Sequence, residues 1–201
     1  EMGIRRNLPI LVDAAGEFPP RSNLRDLGAS GVDLVDFSVV KEIGGPQPTG
    51  ILCGRGDLIA SAAANASPFA FVGRGMKVAK EEIMGLLTAL DIFVEEDEQA
   101  ENNRYKSMCS KVVDALIEFP GLKLDIKHDG IDYMVPEAVL SFTREWRGQS
   151  PDEVLNAMRQ GEIPVHLNDL GNPDELSINP INLDDSELDV LISRLHEELI
   201  R

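Results

Sequence analysis

Cysteine and histidine are scarce in this chain, which has two cysteines and three histidines among 201 residues. Cys53 and Cys109 lie far apart and form no Cys-x-x-Cys or Cys/His spacing, so nothing supports a zinc site or a disulfide framework. The histidines at positions 128, 166 and 196 show no ligand spacing either. We therefore expect no metal site, and two reduced cysteines of the kind found in cytoplasmic proteins.

Basic residues are also in the minority, since 19 Lys and Arg stand against 35 Asp and Glu for a formal net charge of −16. A surface of this charge repels nucleic-acid phosphates and anionic lipid headgroups. The best apolar stretch, Ile83 to Val94, is interrupted by Thr88 and Asp91 and is too short to span a bilayer. With no basic-then-apolar leader at its start, the chain is expected to be a soluble cytoplasmic protein without nucleic-acid or membrane partners.

Short apolar runs and helical patterns alternate along the first third. Runs at Pro9–Val12, Leu34–Phe37 and Gly50–Cys53 are bounded by Gly, Pro and Asp, which is typical of strands buried on both faces of a helix-covered sheet. An alanine-rich stretch from Asp57 to Asn65 predicts a helix. This third is expected to be α/β.

A long helical region follows, and then a mixture of strands and helices. Apolar residues at three-to-four spacing run from Ile83 to Leu116, with the acidic run Glu95–Glu98 as a solvated face or a bend and Pro120-Gly121 as the end. Capping signals predict helices from Ser150 to about Arg159 and from Asp184 onward. Strands are predicted at Lys123–Lys127, Ala138–Phe142, Pro164–Leu167 and Leu176–Asn179. This pattern favours a small α+β domain.

Two strand ends carry residues that suit one kind of cofactor chemistry. Asp13 ends the first apolar run, and Lys41 follows the second by a few residues. Pyridoxal phosphate needs an amine for its Schiff base and an anion that keeps its ring nitrogen protonated. Taken alone, a lysine after a strand is more often a solvated loop residue, and an aspartate at a strand end is more often a turn former. The surrounding sequence motifs therefore decide the interpretation.

The sequence around Asp13 and Lys41 contains a series of short motifs: Val12-Asp-Ala-Ala-Gly-Glu17, Pro19-Pro-Arg-Ser-Asn-Leu24, Gly31-Val-Asp-Leu-Val-Asp-Phe-Ser38, Gly45-Pro46-Gln47, Gly54-Arg-Gly-Asp-Leu-Ile59 and Gly73-Arg-Gly-Met-Lys-Val-Ala-Lys-Glu-Glu-Ile83. The chain resembles the carboxyl-terminal portion of the pyridoxal-phosphate-dependent fold type I family of selenocysteine synthase (seryl-tRNA selenium transferase) and D-glucosaminate-6-phosphate ammonia-lyase-like proteins. The resemblance is most specific from about Pro9 to Ile83 and looser beyond. The resemblance implies part of a PLP-binding large domain in residues 1–76, linking helices in 77–120 and a small α+β domain in 121–201.

The resemblance also implies roles for individual residues. Lys41 is expected to form the Schiff base, Asp13 to pair with the pyridinium nitrogen, and Ser38 to bind the cofactor phosphate. Arg74 and Arg144 are candidates for binding an anionic group of an amino acid or amino sugar acid substrate, since a planar guanidinium suits a carboxylate or phosphate. The implied activity is that of a PLP-dependent lyase or transferase.

Two departures from the family pattern leave alternatives open. Relatives tend to carry glycines directly before the lysine and an arginine soon after it, whereas this chain has Val39-Val40 before and Gly44-Gly45 after. The two glycines are either a plain loop or a site of close approach by the cofactor or another subunit. The resemblance begins partway through the large domain and leaves its phosphate cup without a counterpart, so we expect the chain to be a fragment, a natural truncation or a product completed by another polypeptide. A homodimer or larger assembly is expected, and the alternative function is a cofactor-free scaffold that keeps the fold.

Overall fold

The protein, seen in a computed structural model, is described for residues 5–6, 8–169 and 171–201. It forms two units, one ending at Glu96 and the other beginning at Asp97. The boundary falls inside the region predicted to link two domains, so the division at 1–76, 77–120 and 121–201 stays a prediction. Within the described ranges, no helix is both long and apolar enough to cross a membrane.

The first unit is built around a three-stranded sheet in the order β1-β2-β3. β1 and β2 are parallel, with Asp13 opposite Asp36, and β3 runs antiparallel to β2. The three predicted strands are confirmed with ends shifted by one or two residues. The elements in chain order are β1 (Leu11–Asp13), α1 (Asn23–Ala29), β2 (Leu34–Ser38), β3 (Gly50–Gly54), α2 (Gly56–Asn65), a 3-10 turn (Arg74–Met76) and α3 (Lys80–Glu95).

The prediction that these strands are buried on both faces is wrong. β2 alternates, with Val35 and Phe37 buried and Asp36 exposed, and β1 and β3 contain no fully buried residue. One face of the sheet packs against α1 and α3, and its buried residues are Ala14, Phe18, Val35, Phe37, Val39, Ile43 and Phe93. Apolar residues at exposed positions of the other face, such as Leu11, made these runs look continuously buried.

The acidic run, expected to be a solvated face or a bend, interrupts the helical region: α3 ends at Glu95 and a new helix, α4 (Glu98–Leu116), begins three residues later. Asp97 is its N-cap: its carboxylate accepts hydrogen bonds from the Gln99 and Ala100 amides at 2.9 and 3.2 Å. The helix ends at Leu116, earlier than the predicted end at Pro120-Gly121.

The second unit is an α+β sandwich, as predicted. After α4 come β4 (Leu122–Lys127), β5 (Glu137–Phe142), α5 (Pro151–Gln160), β6 (Glu175–Ile178) and α6 (Asp185–Ile200). The sheet is antiparallel in the order β4-β5-β6, and one face packs on the three helices. Both predicted helix starts are confirmed, with Ser150 and Asp184 as N-caps of capping boxes.

One local prediction is wrong, and one helix is missed. Residues 164–167 form no strand; the Val165 amide instead donates to the Met158 carbonyl at 3.0 Å, and only Asn168 bridges to Ser177 of β6. Pro164 has no amide hydrogen to offer a sheet, which explains why apolar content alone misled here. In the first unit, α1 was not predicted at all, because its seven residues are too few to show a periodic pattern.

Candidate active site at the edge of the first sheet

The edge of the sheet where β1 and β2 end carries the candidate site. Because the two strands are parallel and paired from Leu11↔Leu34 to Asp13↔Asp36, the segments that follow them leave the sheet at the same edge. A hydrogen bond of 2.7 Å from the Ala14 amide to the Asp36 carbonyl extends the pairing by one residue. The segments that follow Asp13 and Ser38 therefore start side by side.

Asp13 is the last residue of β1, and its side chain is exposed. Its Oδ1 accepts a hydrogen bond from the Ala15 amide at 3.0 Å, which forms an Asx turn and holds the carboxylate at the strand end. Within the described chain, Oδ2 has no hydrogen-bond donor. This oxygen is free to accept a proton or a hydrogen bond from a ligand.

Lys41 lies in the turn after β2. The Gly44 amide donates to the Lys41 carbonyl at 2.9 Å, and Gly44 has a φ of +68°, a left-handed conformation that glycine adopts without strain. The side chain of Lys41 is exposed and reaches toward β1: a β-carbon placed on Gly16 would lie 3.7 Å from the Lys41 Nζ. The Lys41 amine thus lies over the turn that begins at Asp13, without an ion pair to any described carboxylate.

Ser38 is half-buried at the end of β2, and no described residue makes a hydrogen bond to its hydroxyl. Since side chains alternate along a strand, Ser38 shares a face with Asp36, and the register places Asp13 on that face too. Asp36 is not among the site residues predicted from the sequence, although its position two residues before Ser38 places it on the same strand face. Three oxygen-bearing side chains therefore line the exposed face of the sheet beside Lys41.

The opposite face of the same strand anchors this edge in the core. Phe37 and Val39 are fully buried, and Phe37 stacks on Phe18 with ring centroids 5.3 Å apart. Val39 also fills the space beside Gly45, since a β-carbon there would lie 3.0 Å from Val39 Cγ2. The first residue of the Val39-Val40 pair, which departs from the family pattern, is thus a core residue that fixes the start of the lysine turn.

Arg74 lies in the 3-10 turn, and its Nη1 donates to the Ser67 hydroxyl at 2.9 Å. The two residues bracket a loop closed by the bridge between Ala66 and Gly73. The guanidinium is exposed and keeps donors free for a ligand. Arg144 belongs to the second unit, where it follows β5 and its carbonyl accepts from Arg147 Nη1 at 2.7 Å.

The other end of the sheet is held by an ion cluster that has a structural role. Arg55 bonds Asp33 at 2.6 Å and Asp57 at 2.6 and 3.0 Å, while the Ile10 amide donates to Asp33 at 2.8 Å. The Ile10 amide and then the Arg55 guanidinium lower the pKa of Asp33. These contacts tie the starts of β1, β2 and α2 together and so fix the register that delivers Asp13 and Lys41.

The mixed α/β fold is that of fold type I pyridoxal-phosphate enzymes, whose solved structures the chain matches over about half of their length. The family model of L-seryl-tRNA selenium transferase matches residues 13–125, more than half of the chain. The chain belongs to this family, whose members are pyridoxal-phosphate enzymes.

The curated relatives and solved structures agree with this assignment. The chain is 32% identical over 200 residues to the 5'-C-glycyluridine monooxygenase-decarboxylase of Streptomyces sp, covering 99% of this chain and 48% of that protein. It is 28% identical over 192 residues to the D-glucosaminate-6-phosphate ammonia lyase of Salmonella typhimurium strain 14028s, covering 95% of this chain and 49% of that protein. A solved D-glucosaminate-6-phosphate ammonia-lyase superposes with a TM-score of 0.78 at 26% identity, over 98% of this chain and 51% of the other. The chain spans about half the length of the relatives it matches.

Proposed function

We propose that this chain supplies the lysine and the ring-nitrogen partner of a pyridoxal-phosphate-dependent lyase or transferase that acts on an amino acid or amino sugar acid. The observation that carries the proposal is the position of the Lys41 Nζ over the turn that starts at Asp13. The D-glucosaminate-6-phosphate ammonia lyase among its relatives, which by name acts on an amino sugar acid phosphate, supports this substrate class.

The carboxylate, hydroxyl and amine at this edge fit the cofactor chemically. A bound pyridoxal phosphate withdraws electrons from the substrate carbon next to the amine and so makes its proton removable. Asp13 offers Oδ2 to a protonated ring nitrogen, while Oδ1 stays fixed by the Ala15 amide. Ser38 offers a hydroxyl to a phosphate oxygen, and an amine on the flexible stem of Lys41 is able to bond covalently or to carry a proton.

Substrate recognition is assigned to the two arginines. Arg74 has one donor on Ser67 and its remaining donors exposed, so it is oriented yet able to grip a carboxylate or phosphate in two-point fashion. Arg144, which belongs to the second unit, is proposed to bind a substrate carboxylate.

Reduction with borohydride tests the proposal. With saturating pyridoxal phosphate, a pyridoxyl group should appear on the peptide that contains Lys41, and Lys41→Ala should abolish it. Lys80→Ala, which removes another exposed lysine of the same unit, is the matched control and should leave the labelling unchanged. Labelling of a different lysine, or none in the wild-type chain, would favour the alternative of a cofactor-free scaffold.

We also propose that the cytoplasmic protein works as a homodimer or larger assembly. Large apolar side chains are exposed on the loop before α3 and along α3 itself, and contiguous surface of this kind marks protein contacts. They include Phe69, Phe71, Val72, Met76, Ile83, Met84 and Leu87. Light scattering at micromolar concentration should give at least twice the mass of the chain; a stable monomer would contradict the assembly.

A further inference from the structure

Helix α3 contains a glycine at a position where the helix itself would favour alanine. Glycine in a helix interior costs about 1 kcal/mol relative to alanine. Gly85 lies in the second turn of α3, and a β-carbon placed on it would lie 2.8 Å from Pro46 Cγ and 3.5 Å from Pro46 Cδ. A side chain at this position would therefore collide with the proline ring.

Pro46 has little freedom to move away from such a collision. Its ring atoms are fixed to the backbone, unlike the end of a long side chain. The preceding residue, Gly45, donates its amide to the Val39 carbonyl at 2.6 Å, and a β-carbon placed on Gly45 would lie 3.0 Å from Val39 Cγ2. Gly45 joins Pro46 directly to the turn from Lys41 to Gly44, so we expect a displacement of Pro46 to reach that turn.

The same helix also contacts the segment that follows Asp13. Phe93 of α3 packs edge-on against Phe18 with ring centroids 5.1 Å apart. Arg21 also contacts Phe93: its guanidinium lies 4.3 Å from the centre of the Phe93 ring, and its Nη1 donates to the Phe93 carbonyl at 2.7 Å. Helix α3 thus contacts both the segment that follows β1 and the segment that follows β2.

We infer that Gly85 is a positioning residue for Lys41: its missing side chain lets α3 seat Pro46 and so sets the lysine turn against the turn after Asp13. The consequence for catalysis rests on the proposed function, whereas the seating of the loop does not. The role of Gly85 is indirect: it acts through Pro46 and Gly45 and not by binding cofactor or substrate.

Four variants of the chain test this inference: the wild type, Gly85→Ala, Pro46→Ala and the double variant. Hydrogen exchange of the Gly44 and Gly45 amides, measured without cofactor, reports the two bonds of the lysine turn. Gly85→Ala should raise their exchange by about tenfold, the size expected when a tight contact is overpacked. The double variant should return the exchange close to that of Pro46→Ala, because alanine at 46 lacks the Cγ and Cδ atoms that collide.

Gly28→Ala in α1 is the matched control, since it is also a glycine within a helix but has nothing within 4 Å of the point that a β-carbon would occupy. This change should leave the turn amides unaffected. Unchanged exchange in Gly85→Ala, or elevated exchange that the double variant does not reverse, would overturn the inference.

Borohydride labelling of Lys41 in the same variants separates this inference from the proposed function. Slower labelling in Gly85→Ala that recovers in the double variant connects the seating of the loop to the chemistry of the lysine. Absence of labelling in the wild type refutes the proposed function, while the exchange results still decide whether Gly85 seats the turn.

Discussion

The thiol of Cys109 couples the core of the second unit to pH, and its replacement by alanine gives a test with a calculable size. Cys109 lies on α4, is buried, and donates a hydrogen bond to the Pro136 carbonyl at 3.3 Å. Burial, and to a smaller extent the negative charge of Glu137, raises the pKa of the Cys109 thiol from 9.0 to about 12. In the unfolded chain the thiol regains its ordinary pKa.

The sign follows from which state ionises first. Above pH 9 the unfolded chain loses the Cys109 proton while the folded chain keeps it, so unfolding becomes more favourable. The contribution is complete below pH 9 and is lost as the pH rises toward about 12. At about pH 10.5 the free energy of unfolding should have fallen by about 2 kcal/mol through this group alone, at about 1.4 kcal/mol per pH unit.

Urea unfolding followed by tryptophan fluorescence measures the effect, because the single tryptophan, Trp146, lies in this unit. Cys109→Ala should be less stable than the wild type at about pH 8, through lost packing, but should lose about 2 kcal/mol less between pH 8 and 10.5. Other groups titrate in both proteins and cancel in the difference. Cys53→Ala, in the first unit, should not alter this transition, and an equal decline in wild type and Cys109→Ala would refute the reasoning.

Three further changes have expected results. Asp13→Asn should leave the chain folded by circular dichroism while slowing turnover at least as much as it weakens cofactor binding, because an amide cannot hold the ring nitrogen proton; unchanged turnover would remove Asp13 from the site. Arg21→Met should destabilise the first unit by about 2 kcal/mol in hydrogen exchange, through loss of its bonds to the Phe93 carbonyl and Glu96, and Arg25→Met, which changes an exposed arginine, should not. Ser150→Ala should lower the stability of the second unit by about 1 kcal/mol in the Trp146 transition, with Ser107→Ala as the neutral control.

The elements that the sequence predicts best are those with a local chemical signal. Ser150 and Asp184 each combine a capping side chain with a glutamate three residues later, which predicts a helix start. The two helices begin directly after these residues. The strands before Asp13 and Lys41 are found because Gly, Pro and Asp bound them. Local signals do not report burial, which is why the exposed face of the first sheet was interpreted as buried.

The candidate site is predictable only in part, for a related reason. Asp13 and Lys41 can be placed at strand ends from sequence, but their meeting depends on the parallel pairing of β1 with β2, which no local pattern reveals. The contact of Gly85 with Pro46 joins residues 39 positions apart and depends on how α3 crosses the lysine turn. Such contacts are decided by packing between elements, so they become visible only in the fold.

Chemistry and stability are divided unequally between the two units, and this governs how every variant must be interpreted. The second unit has an extensive core under α4, α5 and α6. Among its described residues, the first unit has seven buried core residues, and its helix α2 has no buried residue. Trp146 lies in the second unit beside Phe142, with its indole N–H bonded to the Gln149 carbonyl at 2.7 Å. Its fluorescence therefore reports on the second unit and not on the fold around Lys41. A variant at Lys41, Asp13 or Gly85 with native tryptophan fluorescence has not been shown to keep the first unit intact. Exchange at the Gly44 and Gly45 amides supplies that missing control, and only with it does a loss of labelling report on chemistry and not on local unfolding.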